Sequence, residues 1–312
     1  MKEIIAFVLV LSPIFIKAQV RWQNVDSLFK PLPPTVHVFY NNNSLDGKPN
    51  IAYYVSAELK DKTLDFTIQT GKGKRFTPAQ YFETEGKPLV VVNCTFFEFV
   101  HNSNVNLVIQ NGKLVAYNNP AIIGRGKDTF TYRHVFASAI GITKHRRADV
   151  AWLYADSLKT KPYASQVVLA PIKDSSAKWA NALAYLKKWR MQTAVGGGPV
   201  LLQNGAIAIS NNEELKFSGK AGLTEKHPRT CMGYTADGKL IIMAIQGRFV
   251  GIAEGASLTQ EAQLLKDIGC VEALNLDGGG SSCLLVNGKP TIKVSDKEGQ
   301  RPVPAVFMIK QQ

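Results

Sequence analysis

Ala273-Leu274-Asn275-Leu276-Asp277-Gly278-Gly279-Gly280-Ser281-Ser282, running on through Cys283-Leu284-Leu285-Val286 to Asn287-Gly288-Lys289, joins an apolar strand, a glycine-rich polar tip and a tight turn. Asn-Gly accepts the positive φ angles of a type I′ turn, so residues 283–294 read as a β-hairpin. The same design occurs twice upstream. Val90-Val91-Val92 leads to the tip Asn93-Cys94-Thr95-Phe96-Phe97-Glu98, then to a hairpin over 105–117 that turns at Asn111-Gly112. Ala194-Val195 leads to Gly196-Gly197-Gly198, then to a hairpin over 199–209 that turns at Asn204-Gly205. A fourth turn, Asp237-Gly238, separates the runs 231–235 and 240–245. Helical spacing is rarer. Trp179, Leu183, Leu186 and Trp189 predict a helix over 176–191, capped by Asp174 or Ser175. Ser257 and Gly269 bracket a second over 258–268, and 77–85 reads as a short third. The pattern predicts an α+β fold: a mixed, mainly antiparallel β-sheet core with β-hairpins and a few flanking helices.

The composition, 45% hydrophobic and 20% charged, supports a packed globular chain rather than a disordered one. No Pro- or Ser-rich linker divides it. Residues 19–312 read as one catalytic domain, with 20–70 as a β-rich N-terminal portion. Lys2, an apolar run over 4–16 and the small residue Ala18 give residues 1–18 the form of a signal peptide. The run is too short to span a bilayer comfortably, and no later stretch is long and apolar enough to cross one. The expected location is therefore periplasmic or secreted. In that setting Cys94, Cys231, Cys270 and Cys283 allow disulfides in three pairings, and buried free thiols fit equally well. No C-x-x-C occurs, no metal-ligand spacing is present, and no cofactor is called for. The net charge of +13 favours anionic partners without choosing among them. No nucleic-acid-binding motif accompanies it, so no specific nucleic-acid partner is expected.

Strand ends that carry irregular polar loops are where scaffolds place chemistry. Asp277 stands at such an end, where a carboxylate can act as base or nucleophile. Gly278, Gly279 and Gly280 let a ligand approach the backbone, whose N–H groups can hold an oxyanion, and Ser281 and Ser282 add hydroxyls. The dinucleotide pattern is broken because Cys283 occupies its third glycine position, and the Walker lysine is absent. Neither G-x-S-x-G nor H-E-x-x-H occurs. His227-Pro228-Arg229-Thr230 offers a proton carrier beside a planar cation suited to phosphate. Arg248 and Arg301 are further candidates to face an anion. Glu98, at the first tip, is the candidate second carboxylate.

Taken in order, these blocks resemble the phosphodiester glycosidase family. The stretch from Ala273 to Ser282, closing on Val286-Asn287-Gly288-Lys289, looks like its hallmark. Gly196-Gly197-Gly198-Pro199 with Asn204-Gly205 resembles its middle motif. His227-Pro228-Arg229-Thr230, with Gly233 and Asp237-Gly238, resembles the next. Leu258-Thr259, Glu261-Ala262 and Arg301-Pro302-Val303 match later blocks, so the resemblance runs from Val90 to Lys310. The family includes the lysosomal-pathway uncovering enzyme, which removes N-acetylglucosamine from a sugar phosphodiester, and bacterial members linked to exopolysaccharide. The resemblance implies hydrolysis of a sugar-1-phosphodiester to free sugar and a phosphomonoester, with a carbohydrate or sugar phosphate as partner. Asp277 would act at the anomeric carbon, Arg229 would neutralise the phosphate and His227 would support or donate. Asn93 would bond a sugar hydroxyl, and Gly197 and Gly198 would join the glycine loop in substrate binding. Three departures stand out. Cys94 and Thr95 replace a usual glycine pair, Gln246 stands where Asp is frequent, and Cys231 and Cys283 replace smaller or hydroxylated residues. Two other readings remain: a glycan or glycan-phosphate binding protein without turnover, and a serine-type ester or amide hydrolase with Ser281 as nucleophile and His227 as base.

Overall fold

A computed structural model describes residues 20–119, 121–124, 129–155, 161–173, 175–218 and 221–312. The expected signal peptide and the cap candidate Asp174 lie outside the described residues. The fold is α+β, and every strand pair among the described residues runs antiparallel.

Two sheets carry the strands that matter for function. The larger places Arg229–Thr235 between Lys239–Gln246 and Cys270–Asn275, with Val200–Gln203 beyond. The smaller places Val90–Asn93 between Leu284–Val286 and Ala305–Gln311. A seven-stranded sheet, with Ala137–Ile142 and Thr193–Gly196 at its middle, and a three-stranded one complete the set. The central strands are apolar on both faces because both are covered. Leu240, Ile242 and Ala244 join one core cluster; Ile241, Met243 and Ile245 join another. Val90 and Val92 likewise face one core and Val91 the opposite one, the two-residue alternation of a pleated strand.

The three Asn-Gly turns form as read. Asn111 and Gly112, Asn204 and Gly205, and Asn287 and Gly288 all have positive φ, joining strands in antiparallel register. The helix Leu258–Ile268 starts at a Ser257 capping box and ends at Gly269, in the left-handed region. Its Leu258, Ala262, Leu264 and Leu265 pack in the second core cluster. Pro78–Thr84 begins at a Thr77 capping box.

The predicted helix over 176–191 is shorter, ending at Ala184. Ser175 caps it. Lys187–Lys188 instead pairs with Tyr163–Ser165, and Trp189 packs with Met191 against the seven-stranded sheet. Strand pairing and burial of the indole outweigh continued helical spacing there. The N-terminal portion is β-rich and woven through the fold. Ile51–Glu58 pairs with Val36–Asn41 and Lys239–Gln246, and Leu64–Thr70 pairs with Ala305–Gln311. All four cysteines are buried and free, so disulfide pairing gives way to the free-thiol alternative. No helix among the described residues is long and apolar enough to cross a membrane.

Candidate active site

Strand ends from the two main sheets meet at Asp277. Its N–H donates to Cys94 O at 2.8 Å, and its carbonyl accepts from Asn93 Nδ2 at 2.6 Å. Asn93 Oδ1 accepts from Thr230 Oγ1 at 2.9 Å and Cys283 N at 3.0 Å. One buried amide thus ties together the tip after Val90–Asn93, the start of Arg229–Thr235 and the loop after Cys270–Asn275. Leu276 N to Thr230 O, and Gly279 N to Pro228 O, both at 2.8 Å, continue the seam.

A cavity of about 320 Å³ opens above this seam, lined by Phe96, Phe217, Ser218, His227, Arg229, Arg248, Asp277, Gly278 and Gly279. Burial pushes the Asp277 carboxyl up to about 6; the Ser281 hydroxyl, the Arg301 charge, the Gly278 N–H and the Lys216 charge pull it back. Burial and then the Arg229 charge push His227 below its ordinary value, opposed by Glu225, whose Oε2 lies 3.4 Å from Nε2. Its imidazole is therefore neutral near pH 7 and able to accept a proton. Arg248 is exposed and makes no hydrogen bond or ion pair among the described residues. A Cβ on Gly279 would lie 3.0 Å from Arg248 Nη2, and one on Gly280 would collide with the Arg301 guanidinium. Two of the loop glycines therefore make room for cations rather than only for a turn.

A family model described as phosphodiester glycosidase matches residues 86–310. The chain belongs to that family. Among solved structures, this phosphodiester glycosidase family member is similar to the catalytic domain of zebrafish N-acetylglucosamine-1-phosphodiester alpha-N-acetylglucosaminidase, auto-inhibited by its pro-peptide. The TM-score is 0.62 at 20% identity, over 91% of this chain and 86% of that one. A hypothetical protein from Synechocystis gives 0.60 at 14% identity, over 90% of this chain and 64% of its own. Among curated proteins, an uncharacterized SPbeta prophage-derived protein of Bacillus subtilis (strain 168), YomE, is 40% identical over 76 residues. That match spans 24% of this chain and 12% of the Bacillus protein.

Within this family member, Asp277, His227, Arg229, Arg248, Gly278 and Gly279 come together on one cavity. The other expected site residues do not line it. Asn93 is 0% exposed and acts as a staple between strands, so it has no surface for a sugar hydroxyl. Gly197 and Gly198 are buried beneath the site, where their N–H groups donate to Ser138 O at 3.0 Å and Asn275 O at 2.7 Å. Glu98 closes its own loop, accepting from Val100 N at 2.8 Å, His101 N at 2.6 Å and Ser103 Oγ at 3.1 Å. Burial raises its pKa, but these donors outweigh burial and hold it below the ordinary value, as a committed carboxylate rather than a second acid.

Gly280, Ser281 and Ser282 lie behind the cavity wall. Ser281 is 1% exposed, and its Oγ lies 3.5 Å from Arg301 Nη1. No hydrogen bond joins it to His227 among the described residues, so the Ser281–His227 pair that a serine-type hydrolase would use is not formed. Arg301 also pairs with Asp296 at 2.7 Å and acts on Asp277 through its charge. Arg229 is only 4% exposed, with Nε bonded to Ala256 O at 3.0 Å and Nη2 to Glu225 O at 3.3 Å. It therefore presents one edge to the cavity rather than a free fork. Behind it lies Glu261, which is 0% exposed.

The other wall carries no sequence motif. Phe217 and Ser218 line the cavity, and Phe217 meets Phe96 edge-on at 6.1 Å. Lys216 places Nζ 4.9 Å over the Phe96 ring. These residues fall between the recognisable blocks, in a polar stretch with neither periodicity nor a turn motif. An aromatic and a lysine side by side there were the only available signal.

Proposed function

We propose that this chain hydrolyses the bond between a sugar anomeric carbon and a phosphodiester oxygen, releasing free sugar and a phosphomonoester. One observation carries the reading: a single carboxyl, Asp277, lies on a one-sugar-sized cavity that Arg229 and Arg248 also line, with the charges of Arg301 and Lys216 acting on that carboxyl. Ordinary glycosidases use a second carboxyl to protonate an alkoxide leaving group. A phosphomonoester leaves as a weak base, so cations that stabilise its charge substitute for that acid. Asp277 is the only carboxylate among the described residues lining the cavity. It takes a proton from water as the water oxygen bonds the anomeric carbon; the C–O bond breaks and its electron pair stays on the phosphate. His227 provides the next acceptor for that proton. Phe96 and Phe217 give the sugar an apolar face to lie against.

Export by a leader over 1–18 would bring the enzyme to surface or exopolysaccharide substrates, a role that follows from this proposal. The test is incubation of the mature chain with a sugar-1-phosphodiester, following free sugar and phosphomonoester. Asp277→Asn is expected to abolish release without lowering the thermal midpoint. Full activity in that variant would remove Asp277 from the chemistry, and wild-type affinity without turnover would favour a binding protein.

A further inference from the structure

Lys216 is the least explained cation at this site. It follows the short helix Asn211–Glu214, whose last residue is a saturated carboxylate. Glu214 Oε2 accepts from Ser138 N at 2.9 Å and Ser138 Oγ at 2.7 Å. Its Oε1 accepts from Trp152 Nε1 at 3.2 Å, Val200 N at 3.0 Å and Ser210 Oγ at 2.6 Å. Five donors leave it no need of the neighbouring ammonium. Lys216 Nζ makes no hydrogen bond or ion pair among the described residues. A half-buried ammonium with three unspent donors is costly unless something else meets it.

The side chain is nevertheless held in place. Nζ sits over Phe96, a wall of the Asp277 cavity, and the next residue, Phe217, forms the adjoining wall. Its Cε runs against Gly198, where a Cβ would come within 2.5 Å, and the φ of +116° at that position admits no ordinary side chain. The two charges also sense one another. Burial lowers the Lys216 pKa while Glu214 and Asp277 raise it, and Lys216 in turn lowers that of Asp277.

We propose that Lys216 completes the anion cradle of the Asp277 site, its ammonium donating to the phosphoryl oxygens of the bound sugar phosphodiester. The proposal rests on the glycosidase reading. Arg229 has two donors tied to carbonyls and Arg301 is paired with Asp296, whereas the side chains of Arg248 and Lys216 make no hydrogen bond or ion pair among the described residues. Lys216 transfers no proton. It remains an ammonium while the C–O electron pair passes to the phosphate and the leaving group gains negative charge. The other charged groups facing Asp277 are Arg229, Arg248 and Arg301, with neutral His227 and the Cys94 thiol nearby.

The experiment compares wild type with Lys216→Met, Lys216→Gln and Lys216→Arg. It reads kcat and KM on a sugar-1-phosphodiester across pH, binding of inorganic phosphate by calorimetry, and the thermal midpoint. Loss of a charged donor should lower kcat/KM by about 100-fold in the Met and Gln variants and weaken phosphate binding by about tenfold. Their acid limb should move to higher pH, because Asp277 loses a stabilising cation. Arg should recover part of each. A Met or Gln variant that is folded and keeps wild-type kcat/KM, pH profile and phosphate affinity would overturn the role of Lys216. Wild type that binds phosphate more tightly than Lys216→Met but releases no sugar removes the glycosidase reading and keeps the cradle. Wild type that does neither removes both.

Discussion

Asp277 and Glu261 are both buried carboxyls pushed upward by desolvation, but they face different surroundings. Asp277 meets the cavity, where burial pushes it up to about 6, the range in which the proposed reaction would need it. A base must be ionised, so kcat/KM is expected to rise with pH through about 6 and then level, read from initial rates. Glu261 meets Arg229 and the Cys231 thiol and no solvent. Burial raises it from 4.5 to about 7, against the pull of the Arg229 charge. The folded state therefore favours its protonated form. That contribution to stability is full below 4.5 and is lost as pH rises through about 7. Glu261→Gln should flatten the decline of the thermal midpoint across that window; an equal slope in both proteins would remove Glu261 as its source. That Asp277, His227, Arg229 and Arg248 lie on one cavity follows from motifs set at neighbouring strand ends. Glu98 and Asn93 were misread because a polar side chain at a strand end serves its own backbone as readily as a ligand. Only the folded chain decides which.

At the scale of elements, Leu258–Ile268 connects stability to the site, since it carries Glu261 up to Arg229. Its start depends on Ser257, whose side chain accepts from Gln260 N at 3.2 Å while Gln260 Oε1 accepts from Ser257 N at 3.0 Å. Ser257→Ala should cost about 1 kcal/mol, seen as a thermal midpoint lower by roughly 2 °C. No change would mean that packing alone fixes the helix. This helix was legible to its last residue because cap, apolar spacing and terminal glycine agree. The Asn-Gly hairpins were legible for the same reason: the backbone angles they need are ones few other residue pairs adopt. The segment after Ala184 was not, because its partner Tyr163–Ser165 is distant in sequence and leaves no local trace.

For the whole molecule, the family match begins at residue 86, but the sheets do not. Ile51–Glu58 covers one edge of Lys239–Gln246, and Leu64–Thr70 covers one edge of Ala305–Gln311. A chain started at residue 86 would bare both strands, and unpaired apolar edges recruit other chains. Such a truncation is expected to aggregate; a monodisperse, cooperatively melting product would show that the N-terminal strands are dispensable. The sequence revealed that this portion is β-rich but not which strands it joins, since pairing across so many residues depends on the completed core.

The four cysteines acquire a practical meaning here. Each is sealed within the core, and burial raises the thiols of Cys94, Cys270 and Cys283 to about 12. At neutral pH the folded chain offers a colorimetric thiol reagent almost no thiolate. Oxidants and reductants in the surrounding medium should therefore leave the native molecule indifferent. Under conditions where cleavage or labelling outruns reclosing, the rate of thiol modification becomes a clock for the opening of the core, with no probe attached.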